Sequence, residues 1–140
     1  MDQPPADSVA KAELVVAPHE LASALALVAT DAFPEVFATA RMVALMEIAS
    51  ARLLQPCLAA GQLSVGVSVE VTHSAPTPVR AEVTATARYL GRDGKLHVFE
   101  VVASDAGGEI GRARHKRAIV DAKRLQHAAA DRVATAEKSG

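Results

Sequence analysis

Aromatic residues are scarce in this chain of 140: three Phe, one Tyr and no Trp. The core must therefore be built from Val, Ala, Leu and Ile, and no row of aromatic platforms exists for stacking nucleic-acid bases. Cysteine is scarcer still. The single Cys57 excludes an intrachain disulfide and suits a reducing compartment. It follows Pro56, where a small buried thiol is expected rather than a nucleophile. Neither sign of charge dominates, since 15 Lys and Arg face 16 Asp and Glu for a net charge of −1. That balance argues against a nucleic-acid or membrane-surface partner. No apolar run reaches the length that spans a bilayer, and the opening MDQPPADS is acidic with no hydrophobic stretch, so a cytoplasmic location is expected. There is no G-x-S-x-G elbow, no Gly-rich phosphate loop and no internal repeat. His19, His73, His97, His115 and His127 lack any close ligand spacing, and no second cysteine joins them, so no metal site is expected.

Half of the residues are hydrophobic and 22% are charged, the make-up of an ordinary soluble globular protein. One domain over residues 1–140 is expected, with residues 1–9 and about 126–140 as loose tails. The chain is organised around Phe33 to Leu54. From Met42 to Leu54 nearly every position is apolar or small, which predicts a helix with no broad polar stripe, seated in the middle of the domain. Pro34 biases Phe33 towards an extended conformation, so a loop delivers the chain into that helix. Thr39 stands at an N-cap or first-turn position, and Pro56 ends the helix after Leu54 or Gln55.

Before the helix a short β-branched stretch reads as a strand, and after it the period changes to two. Ala12 to Ala17 reads as a first strand, followed by a weak helix or covering segment over His19 to Thr30. After the helix, Leu63, Val65, Val67, Val69 and Val71 alternate with polar or small residues, predicting a strand whose odd-numbered row is buried. Ala81 to Tyr89 gives another strand. Gly91-Arg92-Asp93-Gly94 is a hairpin signal. Leu96 to Ser104 gives a third strand, with a bulge near Val101 and Val102, and Glu109 to Asp121 a fourth. From Ala122 the chain frays or forms a peripheral helix. An antiparallel sheet with one apolar face must cover it, and a single long apolar helix is on offer. The expected fold is α+β, a sheet curled around one helix, with exposed edges that favour edge-to-edge dimerisation.

Glu47 is the residue out of place. Its same-face helical neighbours Val43, Ala44, Ser50 and Ala51 include no cation, and Arg41 and Arg52 lie six and five residues away, turned off its face. A buried carboxylate there needs a partner from elsewhere in the chain, because an unpaired ion costs several kcal/mol to desolvate. The alternative is a glutamate pointing into a solvent gap at the helix edge. His73 continues the odd row of the strand after the helix, which places it on the face that Glu47 shares. It also reads as a polar residue at a strand end. Together the two could activate a water or a hydroxyl. Thr39, either cap or site hydroxyl, stands where free N–H groups and the helix dipole suit an oxyanion.

The stretch Phe33-Pro34-Glu35-Val36-Phe37-Ala38-Thr39, then Met42-Val43-Ala44-Leu45-Met46-Glu47, then Val71-Thr72-His73 resembles the hot-dog-fold thioesterases of the fluoroacetyl-CoA thioesterase family. The similarity extends through Glu109-Ile110-Gly111 and His115-Lys116-Arg117-Ala118 to about Leu125. It implies a hot-dog fold and hydrolysis of a short acyl-CoA thioester, with Thr39, Glu47 and His73 as the catalytic set. It further implies substrate-binding roles for Phe33, Gly66 and Arg117, with no cofactor beyond the coenzyme A of the substrate; the exposed sheet edges make a homodimer the expected assembly. Of the family's pair of lid phenylalanines Phe33 matches one, while Thr30 stands in place of the other, against fluoroacetate selectivity. An enoyl-thioester hydratase and a non-catalytic acyl-CoA or small-molecule binding protein are the competing readings. Arg112, Arg114 and Lys116, with Arg117, Lys123 and Arg124 nearby, could hold the phosphates of coenzyme A or simply line a solvated strand.

Overall fold

The two-residue alternation and the one long apolar run become five strands and a central helix in the computed structural model, which describes residues 2–139. In chain order these are β1 (Val9–Val15), α1 (Thr39–Leu54), β2 (Gln62–His73), β3 (Glu82–Asp93), β4 (Leu96–Asp105), β5 (Gly108–Asp121) and α2 (Ala122–Ser139). The strands form one sheet ordered β1-β3-β4-β5-β2, antiparallel at every pairing. The sheet curls around α1, which touches all five strands. With so few aromatics, alanines (Ala85, Ala87, Ala103 and Ala113) dominate the inner face. They join Met42, Met46 and Ala49 of the helix in a single buried cluster. Short side chains on the sheet let the helix seat close, and the flexible methionines fill what remains. Tyr89 and Phe99 add edge-to-face ring contact at 5.5 Å between centroids.

Several details depart from the pattern read in the sequence. First, α1 is not buried all round: Met42, Leu45, Met46, Ala49, Ser50, Leu53 and Leu54 face the core, but Ile48 is 46% exposed and Arg41 and Arg52 face solvent. Second, the odd row of β2 is not one face. Its register against β5 slips between Gly66 and Ser68. The extra residue there reverses the alternation, so Ser64 and Gly66 share the inner face with Val69 and His73, while Leu63 and Val67 point outward, each 53% exposed. Third, the irregularities expected near Val101 and Val102 fall instead between Tyr89 and Gly91 and between Ala103 and Ser104. Fourth, β1 runs from Val9 to Val15, three residues earlier than Ala12. The segment before it lies beside β3, where Asp7 N–H donates to Tyr89 O at 3.0 Å. Residues 18–20 and 22–25 form short 3-10 turns instead of one helix. Cys57 is half-buried rather than enclosed.

From Ala122 onward the chain is the helix α2, exposed over most of its length. Its Ala-rich composition favours a helix with little help from packing. Among the described residues no helix is long and apolar enough to cross a membrane.

Candidate active site

Three segments converge at the start of α1. The helix opens after Ala38, whose extended backbone places its carbonyl to accept from Arg41 and Met42 N–H at 3.0 and 2.9 Å. Ala38 supplies no side-chain cap, and Thr39 is the first helical residue rather than the cap. Its hydroxyl is therefore free of the N-terminus and reaches instead to β2, where Thr39 Oγ1 and His73 Nδ1 share a hydrogen bond of 2.8 Å. The loop after His73 is tied in place. Ser74 N–H donates to Ile110 O, Phe37 N–H donates to Thr77 O, and the buried Thr77 hydroxyl donates to Asp105 at 2.7 Å. The result is a cleft of about 380 Å³ lined by Val36, Phe37, Thr39, His73, Ala75 and Pro76 among others. His73 Nε2 is buried and has no partner among the described residues. A buried ring nitrogen left unpaired costs about 1–3 kcal/mol, which a ligand group or a water can recover.

Two turns further along, about 12 Å by helical rise, stands Glu47. The expectation of a sequestered carboxylate meeting His73 does not hold within the chain. The Glu47 side chain is 40% exposed. Its partner from elsewhere in the chain is Arg117 of β5 and not His73. Arg117 Nη1 donates to Glu47 Oε1 at 3.1 Å, and the Arg117 side chain is only 8% exposed. Arg117 is itself clamped, with Nε donating to Ser64 Oγ and Nη2 to Ser64 O, both at 3.0 Å. Burial lowers its pKa and Glu47 raises it, and a guanidinium stays charged regardless. Gly66 lies directly beneath the carboxylate: a Cβ there would overlap Glu47 Oε1.

Sequence reasoning gave His115 no role of its own. It is 1% exposed on β5, two residues from Arg117 and so on the same face. Its Nδ1 lies 2.9 Å from Ser68 O, and its Nε2 lies 3.1 Å from Arg117 Nη1 and 3.9 Å from Glu47 Oε1. A carbonyl only accepts and a guanidinium only donates, so the ring must be neutral with its hydrogen on Nδ1. Burial lowers the His115 pKa below the usual histidine value, with the Arg117 charge acting in the same direction. Its signal in the sequence was a histidine on the inner row of a strand, visible only once that row is known.

Thus the chain holds two clusters, Thr39 with His73 and Glu47 with Arg117, Gly66, Ser64 and His115. No hydrogen bond or ion pair joins them among the described residues. Phe33 is 51% exposed and is not among the residues lining the cleft. Arg112, Arg114 and Lys116 point to the outer face of the sheet, away from α1. There Arg112 pairs with Glu109 and Glu100, and Lys116 with Asp93. Among the described residues no cluster of three or more His, Cys, Asp or Glu side chains could hold a metal ion.

An antiparallel five-stranded sheet wrapped around one helix, with polar groups at the helix start and along β2, is the hot-dog architecture of the thioesterase superfamily. A thioesterase-superfamily member from Thermus thermophilus superposes with a TM-score of 0.86 at 26% identity, covering 100% of both chains. The solved fluoroacetyl-CoA thioesterase FlK superposes with a TM-score of 0.85 at 34% identity, covering 91% of this chain and 96% of that one. The fluoroacetyl-CoA thioesterase of Streptantibioticus cattleyicolor is 44% identical over 88 residues, 63% of each protein. The aligned region thus spans under two-thirds of that curated relative's length. The sequence model of the FlK family, described as fluoroacetyl-CoA-specific thioesterase, matches residues 16–123. The chain belongs to that family.

Proposed function

We propose that this protein hydrolyses a short-chain acyl-CoA thioester to the free acid and coenzyme A, using Thr39, Glu47 and His73. The observation that carries the reading is the Thr39–His73 hydrogen bond at the N-terminus of α1, facing a cleft and leaving His73 Nε2 without a partner. The first N–H groups of a helix have no intrahelical acceptor and sit at its positive end, suited to the oxyanion of an attacked thioester. Thr39 orients the imidazole or hands it a proton, and His73 relays a proton towards the leaving thiolate. Glu47 is the nucleophile or the base for water, held by Arg117 through one oxygen only. Gly66 lets the carboxylate approach the sheet, and Phe33 borders the acyl group from the loop before α1. No metal and no cofactor beyond the substrate's coenzyme A take part. Thr30 in place of a second lid phenylalanine favours a broader acyl range than fluoroacetate.

The reading extends to a cytoplasmic homodimer. β2 is an edge strand with Leu63 and Val67 half-exposed, and Ile48 is open on α1. A second copy pairing along that edge buries all three. The same edge carries Gly66 and borders Glu47, so a partner could bring its own Thr39–His73 pair towards this chain's carboxylate. The separation of the two clusters inside one chain favours such a shared site.

The test is thiol release from acetyl-, fluoroacetyl-, propionyl-, phenylacetyl- and longer acyl-CoAs, with Glu47→Gln and His73→Ala alongside. Both variants are expected to fold and to lose most turnover; an undiminished rate in either removes its assigned role. Mixing the two inactive variants restores activity if the site is shared, and restores none if each chain is self-sufficient. Enoyl-CoA conversion without thiol release would point to a hydratase.

A further inference from the structure

We propose that Ser64 is a positioning residue that aims Arg117 at Glu47, so that its hydroxyl acts on the reacting carboxylate through the guanidinium; this rests on the reading of Glu47 given above. An apolar residue is the default on a sheet face turned to a helix. The inner row of β2 instead carries Ser64 and then Gly66, paired in register with Ile119 and Arg117 of β5. The missing side chain of Gly66 leaves space for the Glu47 carboxylate. Ser64 serves the other half of the same ion pair. Its Oγ accepts from Arg117 Nε and its backbone O from Nη2, both at 3.0 Å, while Nη1 lies 3.1 Å from Glu47 Oε1.

An arginine side chain is a long run of single bonds, and its planar fork gains direction when it is held at more than one point. Ser64 holds it at two, Nε and Nη2, and Nη1 is left to meet the carboxylate. The carbonyl grip is open to any residue at this position. The hydroxyl grip belongs to serine. With the Arg117 side chain only 8% exposed, Nε–H has little recourse to solvent. Take the hydroxyl away and that donor is buried without an acceptor, a state that folded proteins seldom tolerate. Ser64 O is already at hand beside Nη2. A guanidinium that rocks to bring Nε onto it carries Nη1 off Glu47, whose half-exposed side chain then loses its fixed direction. His115 Nε2, 3.1 Å from Nη1, offers nothing to Nε.

Ser64→Ala removes the hydroxyl and keeps the carbonyl; Ser64→Thr keeps both. With the best acyl-CoA of the panel, Ser64→Ala is expected to lower kcat about tenfold, the effect of a reacting group held loosely, with KM within about twofold. Ser64→Thr recovers most of that loss. Independently of turnover, proton–nitrogen correlation spectra follow the Arg117 Nε–H, identified by its disappearance in Arg117→Lys. Its exchange with solvent is expected to be about tenfold faster in Ser64→Ala and unchanged in Ser64→Thr. Ser64→Gly takes the place of the alanine variant if that does not fold. Across the Ser64 variants kcat and Nε–H protection should fall together or stand together. Any folded variant in which one falls without the other overturns the proposal. So does a hydroxyl-less variant that keeps both, or one whose loss is confined to KM. Glu47→Gln separates the two levels. If it keeps full turnover the reading of Glu47 falls, whereas an inactive Glu47→Gln beside an unaffected Ser64→Ala removes only the role of Ser64.

Discussion

Gly66→Ala inserts a single methyl group where the structure has no room for one. The new carbon would overlap Glu47 Oε1 and come within 3.3 Å of His115 Cε1. The backbone of Gly66 is not in the left-handed region, so the alanine itself is unstrained there and the carboxylate must give way. Glu47 is 40% exposed and can swing outward, but only by releasing Arg117. A charge-assisted hydrogen bond contributes about 1.5–3 kcal/mol, and with one partner this exposed a discounted figure of about 1 kcal/mol is appropriate. Arg117 keeps Ser64 and His115 as acceptors, so its buried charge is not abandoned. For a chain of this size that loss lowers Tm by only about 2–4 °C. Catalysis is less forgiving, because a displacement of about 1 Å in a reacting group can cost about a hundredfold. Thermal denaturation beside acyl-CoA thiol release should therefore show a folded protein with kcat down about a hundredfold. A variant with wild-type kcat would refute the reasoning. So would a loss confined to KM, which would place Gly66 against the substrate instead of the carboxylate.

Acidification should destabilise the protein through two buried imidazoles. His115 and His97 both have pKa values lowered chiefly by burial, aided by Arg117 and Arg92 respectively. Below about pH 6.5 the unfolded chain takes up protons that the native rings refuse, so stability is full above that pH and falls as pH drops towards the folded values. The slope reaches about 1.4 kcal/mol per pH unit for each ring, and urea midpoints at pH 7.5, 6 and 5 measure it; a flat profile would count against neutral burial of both. Arg114→Ala and Lys116→Ala should leave KM for the CoA thioester unchanged, because both side chains lie on the sheet face turned away from α1. A several-fold rise in KM would restore them as phosphate ligands.

Much of this molecule is written in local pattern. The apolar run from Met42 to Leu54 dictated a helix, the two-residue alternations dictated strands, and their order left an antiparallel sheet around that helix as the way to cover both. The oddity of Glu47 was also visible, because the lack of a cation on its own helix face is a matter of spacing alone. Local pattern could not say which residue would answer it. Arg117 lies 70 positions away, and its approach depends on β5 pairing with β2. Nor could it reveal the slip between Gly66 and Ser68, since one unpaired residue leaves the run of alternating valines looking unbroken while turning half of it outward. That slip puts Gly66 under the carboxylate and Ser68 O within reach of His115. Period and composition act over a few residues and so settle elements. Which side chains meet is decided by strand register, a property of two segments at once, and only the folded sheet contains it.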